Sequence, residues 1–171
     1  VFQDTRLFKQ SLLENIRAAR PEATREQVLE AARAAQCGDI LEKLPDGLDT
    51  VIGTKGVYLS GGECQRIALA RAILKDASIV ALDEATAFAD PENEHQIQKA
   101  FETLTRGKTV LMIAHRLSTI RNADQIIVLK EGKIAEQGTH RQLLETGGIY
   151  AEMWADYQRS AQWKVGKEVL S

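Results

Sequence analysis

The sequence predicts an α/β fold in which a block of helices precedes a parallel sheet. Three observations carry this reading. Two short apolar runs, 78–82 and 109–114, are each bounded by polar residues, the pattern of buried parallel strands. Between them Pro91 opens a stretch of helical character through about Leu104, which gives the strand–helix–strand order of a parallel sheet. Ahead of them, residues 4–76 read as helices and loops, so they form a helical lobe inserted before the sheet resumes.

In chain order, 10–20 and 24–36 place apolar residues at helical spacing, with a break at Pro21-Glu22-Ala23. Thr24 is suited to cap the second helix, with Gln27 as its capping-box partner three residues on. Gly38-Asp39 ends that helix, and Asp39 is expected to cap a short third one. Residues 44–58, carrying Pro45, Gly47, Gly53 and Gly56, form a loop. A helix follows over 62–75, then the two strands with the Pro91 helix between them. Residues 125–129 and 133–137 flank Glu131-Gly132 as a hairpin. Helix is expected over 141–160, and 161–171 form a loosely ordered tail. The domain reading is therefore one α/β unit over 1–160, divided at about 76/77.

With 44% hydrophobic and 27% charged residues, the 171-residue chain has enough apolar content for one ordinary core. A net charge of −2 gives no sign of bulk nucleic-acid binding or of a polybasic membrane surface. Cys37 and Cys64 lie apart from each other and from any histidine partner, so they suggest neither a disulfide framework nor a metal site. No apolar run approaches the ~20 residues that span a bilayer. The opening Val1-Phe2-Gln3 reads like the end of a strand, as in a piece of a longer protein.

Asp83 and Glu84 stand where the first apolar strand ends. In open parallel sheets, ligands bind beyond the carboxyl ends of the strands. One carboxylate there can hold a magnesium ion beside a nucleotide phosphate, and its neighbour can polarise an attacking water. Alone, the pair reads better as a solvated strand end. His115 follows the second strand and should emerge at the same edge, where an imidazole can donate to a γ-phosphate oxygen. Ser60-Gly61-Gly62 opens a helix, so its backbone N–H groups and a hydroxyl make an anion site. Gly107-Lys108-Thr109 mimics the end of the phosphate-binding P-loop, GxxxxGK followed by Ser or Thr. However, its first glycine position holds Glu102, and the segment runs into a strand. It reads as a turn, and no other such sequence is present.

Together these residues resemble the ATP-binding cassette family. Leu59-Ser60-Gly61-Gly62-Glu63 resembles its signature motif, with Glu63 where glutamine is more usual. Ile79-Val80-Ala81-Leu82-Asp83 resembles the Walker B strand and Glu84 its catalytic glutamate, while Ala87-Phe88-Ala89-Asp90 resembles the D-loop. His115 matches the switch histidine and Gln3 the Q-loop glutamine, so the resemblance runs to about Tyr157. It implies a P-loop NTPase-type parallel sheet, incomplete here, with an inserted helical signature subdomain. It implies ATP and Mg2+ as ligands, bound between two such domains arranged head to tail. Ser60, Gly61, Gly62, Glu63 and Asp90 would contact nucleotide, and Asp83 and Gln3 the metal. Glu84, His115 and Gln3 would act in hydrolysis.

The segment Thr50-Val51-Ile52-Gly53-Thr54-Lys55-Gly56 is similar to the X-loop of exporter-type transporters, with Thr54 replacing the expected glutamate. Phe2-Gln3-Asp4-Thr5-Arg6-Leu7-Phe8 and Glu136-Gln137-Gly138-Thr139-His140 are also exporter-like. Glu63 combined with the 85–94 segment resembles members that handle iron–siderophores. The implied parent is a transporter at the cytoplasmic face of the cell membrane, its membrane domain fused upstream or supplied by another chain and met by residues 4–15. Two other readings stand beside it. One is a soluble ABC ATPase of the translation or DNA-repair type, against which Asp83-Glu84-Ala85-Thr86 argues because translation-type members usually have proline at the third position. The other is a non-catalytic fragment, since a chain without a P-loop is not expected to bind ATP tightly by itself.

Overall fold

The computed structural model describes residues 7–53, 57–83, 91–114 and 117–168. They form two compact units, Val1–Ile113 and Ala114–Ser171.

The first unit opens with a pinned segment rather than a helix. Asn15, fully buried, accepts from Phe8 N at 2.8 Å and donates from Nδ2 to the carbonyls of Phe8, Gln10 and Ser11. Arg71 then donates to Asn15 O at 2.6 Å and to Asn15 Oδ1 at 2.7 Å, with its guanidinium 5.5 Å from the Phe8 ring centroid. With residues 8–11 held this way, and Ser11 bridged to Val51, helix α1 covers only Leu12–Arg17, capped by Ser11. It is shorter than the expected 10–20. Helix α2 (Arg25–Ala34) begins as its sequence predicts. Thr24 Oγ1 accepts from Gln27 N, and Thr24 N donates to Gln27 Oε1.

Helix α3 (Gly38–Lys43) corrects one expectation. Its N-cap is Cys37, which makes no side-chain cap bond, and Asp39 sits inside the first turn. The Asp39 carboxylate is drawn to Arg66 instead, at 2.6 Å. The thiol of Cys37 is fully buried, and burial pushes it up to about 12, so it stays protonated. A 3-10 turn at Gly47–Asp49 interrupts the expected loop.

Helix α4 (Gly61–Lys75) starts one residue earlier than expected and stops at Asp76, which adopts the left-handed conformation (φ 49°). Strand β1 (Ile79–Asp83), helix α5 (Pro91–Thr105) and strand β2 (Thr109–Ile113) follow. The strands pair in parallel, from Ile79 opposite Thr109 to Asp83 opposite Ile113, so their carboxyl ends are level. One core runs through this unit. Ile16, Val28, Ile40, Ile67, Leu82 and Ile97 are all at most 2% exposed.

The strands are less enclosed than their apolar runs suggest. Val80 and Leu82 are buried while Ile79 is 67% exposed, the period-2 alternation of a strand covered on one face. Strand β2 is exposed along its whole length. Among the described residues of this unit the sheet has only two strands, and the helical core meets one face of β1. The Gly107-Lys108-Thr109 segment is a turn, as expected. Gly107 has φ 69°, Lys108 N donates to Thr105 O, and Lys108 Nζ pairs with Asp76 at 2.9 Å.

The second unit holds a short helix α6 (Leu117–Ile120), which has no counterpart in the sequence reading, and the expected hairpin of β3 (Ile126–Lys130) and β4 (Lys133–Gly138). Glu131 and Gly132 both take positive φ, as a two-residue hairpin turn requires. The expected helix over 141–160 is two helices, α7 (His140–Thr146) and α8 (Ile149–Glu168), and α8 runs on into the stretch expected as a loosely ordered tail. Gly147, at φ 71°, closes α7. Glu136 from β4 then caps α8, accepting from Ile149 N at 2.6 Å and Tyr150 N at 3.0 Å. Around this joint His140 Nδ1 and the Tyr150 hydroxyl are hydrogen-bonded at 2.8 Å, and the Trp154 ring lies edge-on 4.5 Å from His140. The Glu136 to His140 motif thus joins strand to helices by backbone capping. Among the described residues, no helix is long and apolar enough to cross a membrane.

Candidate functional site

Helix α4 begins in a closed capping box. Ser60 is extended (φ −64°, ψ 165°), and its Oγ accepts from Glu63 N at 3.2 Å. The Ser60 amide donates back to Glu63 Oε2 at 2.7 Å. The Glu63 Oε1 atom takes a third bond, from Lys43 Nζ at 2.9 Å. Burial pushes the Glu63 carboxyl up, but the Lys43 ammonium and the Ser60 amide outweigh it and hold the group below its usual value. The box uses one acceptor position of Ser60 Oγ, leaving the hydroxyl proton to donate outward.

Ser60 and Gly61 are exposed at the open end of this 15-residue helix. The amides of Gly61 and Gly62 belong to its first turn, where helix geometry provides no intrahelical acceptor. A hydroxyl and first-turn amides at the positive end of a helix suit a phosphate oxygen. The two glycines differ in their surroundings. A Cβ on Gly61 would meet nothing within 4 Å. On Gly62 it would fall 2.8 Å from Asn93 Cγ and 2.9 Å from Asn93 Cβ. Gly62 is therefore required where α4 crosses the start of α5.

This contact separates the two residues by experiment. Gly62→Ala is expected to destabilise the domain by about 1–3 kcal/mol through overpacking against Asn93. Gly61→Ala should leave its stability nearly unchanged. Thermal unfolding of the two variants checks this, and equal melting temperatures would remove the assigned role of Asn93.

One turn further along α4, Arg66 is 2% exposed and acts as a hub. Its Nη1 donates to Gln36 O and Asp39 Oδ1, both at 2.6 Å, and its Nη2 to Asp39 Oδ2 at 2.9 Å and Asn93 Oδ1 at 3.2 Å. The paired guanidinium holds the Asp39 carboxyl below its ordinary range. The start of α4 is thereby tied to both α3 and α5.

The structure thus brings Ser60, Gly61, Gly62 and Glu63 together. It puts Asp83 at the carboxyl end of β1, level with Ile113. Gln3, Thr54, Glu84, Asp90 and His115 lie outside the described residues. Lys43, Asp39 and Asn93 were not singled out as site residues from sequence. Each reaches the signature turn through a contact between segments distant in the chain, for which no local pattern exists.

Comparison with known proteins assigns this arrangement to a class. The family model described as ABC transporter matches residues 1–87, and the chain belongs to that family. It is 53% identical over all 171 residues to an ATP-dependent lipid A-core flippase of Legionella pneumophila, covering 29% of that protein. It is 52% identical over 161 residues to a mycobactin import ATP-binding/permease protein of Mycolicibacterium smegmatis, covering 94% of this chain and 19% of that one. Among solved structures it matches a bacterial Atm1-family ABC exporter with ATP bound at a TM-score of 0.77 and 43% identity, over 91% of this chain and 27% of that one. The α/β class expected from sequence is the one observed. The chain spans less than a third of the length of these relatives.

Proposed function

We propose that this chain contributes to an ATP-hydrolysing nucleotide-binding domain that drives a membrane transporter. The observation that carries the reading is the open start of α4, where the capping box holds exposed Ser60 and Gly61 beside the first-turn amides of Gly61 and Gly62. In this reading two domains meet head to tail, and Ser60, Gly61, Gly62 and Asp90 contact ATP held by the partner, while Glu63, counted among the nucleotide contacts from sequence, turns its carboxylate to the Ser60 amide and Lys43 instead. Gln3, Asp83, Glu84 and His115 serve the ATP of their own domain. Glu84 orients and polarises a water, whose oxygen bonds to the γ-phosphorus as the bond to the ADP oxygen breaks. His115 donates to a γ-phosphate oxygen. Asp83, with Gln3, would hold Mg2+, which neutralises phosphate charge when bound.

The transmembrane domain would be fused upstream or lie on another chain, with the nucleotide-binding domain on the cytoplasmic side of the membrane. Residues 4–15 would meet it, and the Asn15–Arg71 bonds support a firm seat for that segment's described part. For the cargo, the mycobactin-import relatives favour an iron–siderophore and the flippase relatives a lipid.

The test is ATP turnover by the full-length protein, with the 171-residue stretch as comparison. Turnover is expected only in the former, because these 171 residues contain no P-loop sequence. A full-length protein that binds no ATP would overturn the reading, and a tight ATP isotherm for the short stretch would overturn the need for the P-loop.

A further inference from the structure

We infer that Lys43 is a charge-compensating positioning residue for the phosphate site at the start of α4, required because Glu63 places a carboxylate there. This rests on the proposed function and concerns a residue that reading does not use.

The argument begins with the charge at the helix start. The positive end of a helix acts as roughly half an elementary charge, and that attraction fades within the first turn. Glu63 lies in this turn, is 7% exposed, and is fixed by the bond from the Ser60 amide to its Oε2. An uncompensated carboxylate there would turn the local field from attractive to repulsive for an anion approaching Ser60 and Gly61. A glutamine could close the same capping box without adding charge.

Lys43 supplies the missing balance. It is the last residue of α3, and its ammonium bonds Glu63 Oε1 at 2.9 Å, on the oxygen that the capping box leaves open. Lys43 is 65% exposed and Glu63 9% by side chain, so the cation faces solvent while its partner is enclosed. For stability alone, a pair with one end so exposed contributes little. For an incoming phosphate the effect differs, because the pair restores the net positive sign at the helix end. Lys43 touches no nucleotide in this account and acts through Glu63.

The test is a double-mutant cycle in the full-length protein, measuring KM for ATP and kcat. Lys43→Met in the presence of Glu63 should raise KM by roughly three- to tenfold. In the Glu63→Gln background the same substitution should change KM less than about twofold, because no charge remains to compensate. Lys43→Arg should retain the wild-type KM. Loss of folded protein lowers kcat but leaves KM in place, so a purely structural role would not produce this pattern. An unchanged KM in Lys43→Met, or an equal rise in both backgrounds, overturns the inference even though the protein hydrolyses ATP. Absence of turnover in the wild-type protein instead overturns the functional reading beneath it.

Discussion

Replacing Glu84 with glutamine in the full-length protein should lower kcat for ATP by at least about 10²-fold while ATP remains bound, the magnitude expected when a positioned general base is lost. Glutamine keeps the size and much of the hydrogen bonding of the side chain but cannot accept a proton from the attacking water. Binding depends on phosphate contacts made by other groups, so it should persist. Steady-state turnover together with binding of a fluorescent nucleotide separates the two effects. Unchanged turnover would remove Glu84 from its assigned role. Asp83, immediately before it, has the different role of binding metal, so its loss should weaken Mg2+-dependent binding as well.

The largest effect on stability is expected from Asp39→Ala. It leaves Arg66 buried with its charge uncompensated, held among the described residues by Gln36 O and Asn93 Oδ1. The Nε atom of Arg66 is already buried without a partner among the described residues. Breaking a buried pair by removing one member costs about 3–5 kcal/mol, and the 62% exposure of Asp39 lowers the expectation to about 2–3 kcal/mol. Amide hydrogen exchange in α3 and α4 would report it as exchange faster by one to two orders of magnitude, roughly. The pH dependence has a definite sign. The folded-state pKa of Asp39 is depressed, so its contribution is complete above the unfolded value near ~3.9 and is lost as pH falls through the folded value. The gap between wild type and Asp39→Ala should therefore close in acid. A gap that persists there would assign the effect to packing rather than charge.

What the sequence could show was set by how locally each feature is encoded. The Thr24–Gln27 box was legible because both members of the cap lie within one turn. The hairpin was legible because Glu131-Gly132 signals its own turn. The signature turn itself, Ser60 to Glu63, was legible as a helix start. The network that secures it was not. Asp39 meets Arg66 and Lys43 meets Glu63 across 27 and 20 residues, and Asn15 meets Arg71 across 56. Such pairs are created by packing. Asp39 shows the competition directly, since a residue suited to capping α3 turned to a buried cation instead. The break between α7 and α8 had a signal in Gly147-Gly148, yet the helical spacing on both sides obscured it.

Strand β2 has a consequence for how the 171-residue stretch would behave in a tube. It combines exposed Leu111 and Ile113, at 62% and 58%, with β-branched neighbours and no charge from Thr109 to Ile113. A short, uncharged strand of this composition is the type that pairs edge to edge with copies of itself. Stored alone at high concentration, the stretch is a candidate for slow, seedable turbidity. Its shelf life would then be a colloidal property, governed by five residues that take no part in phosphate chemistry.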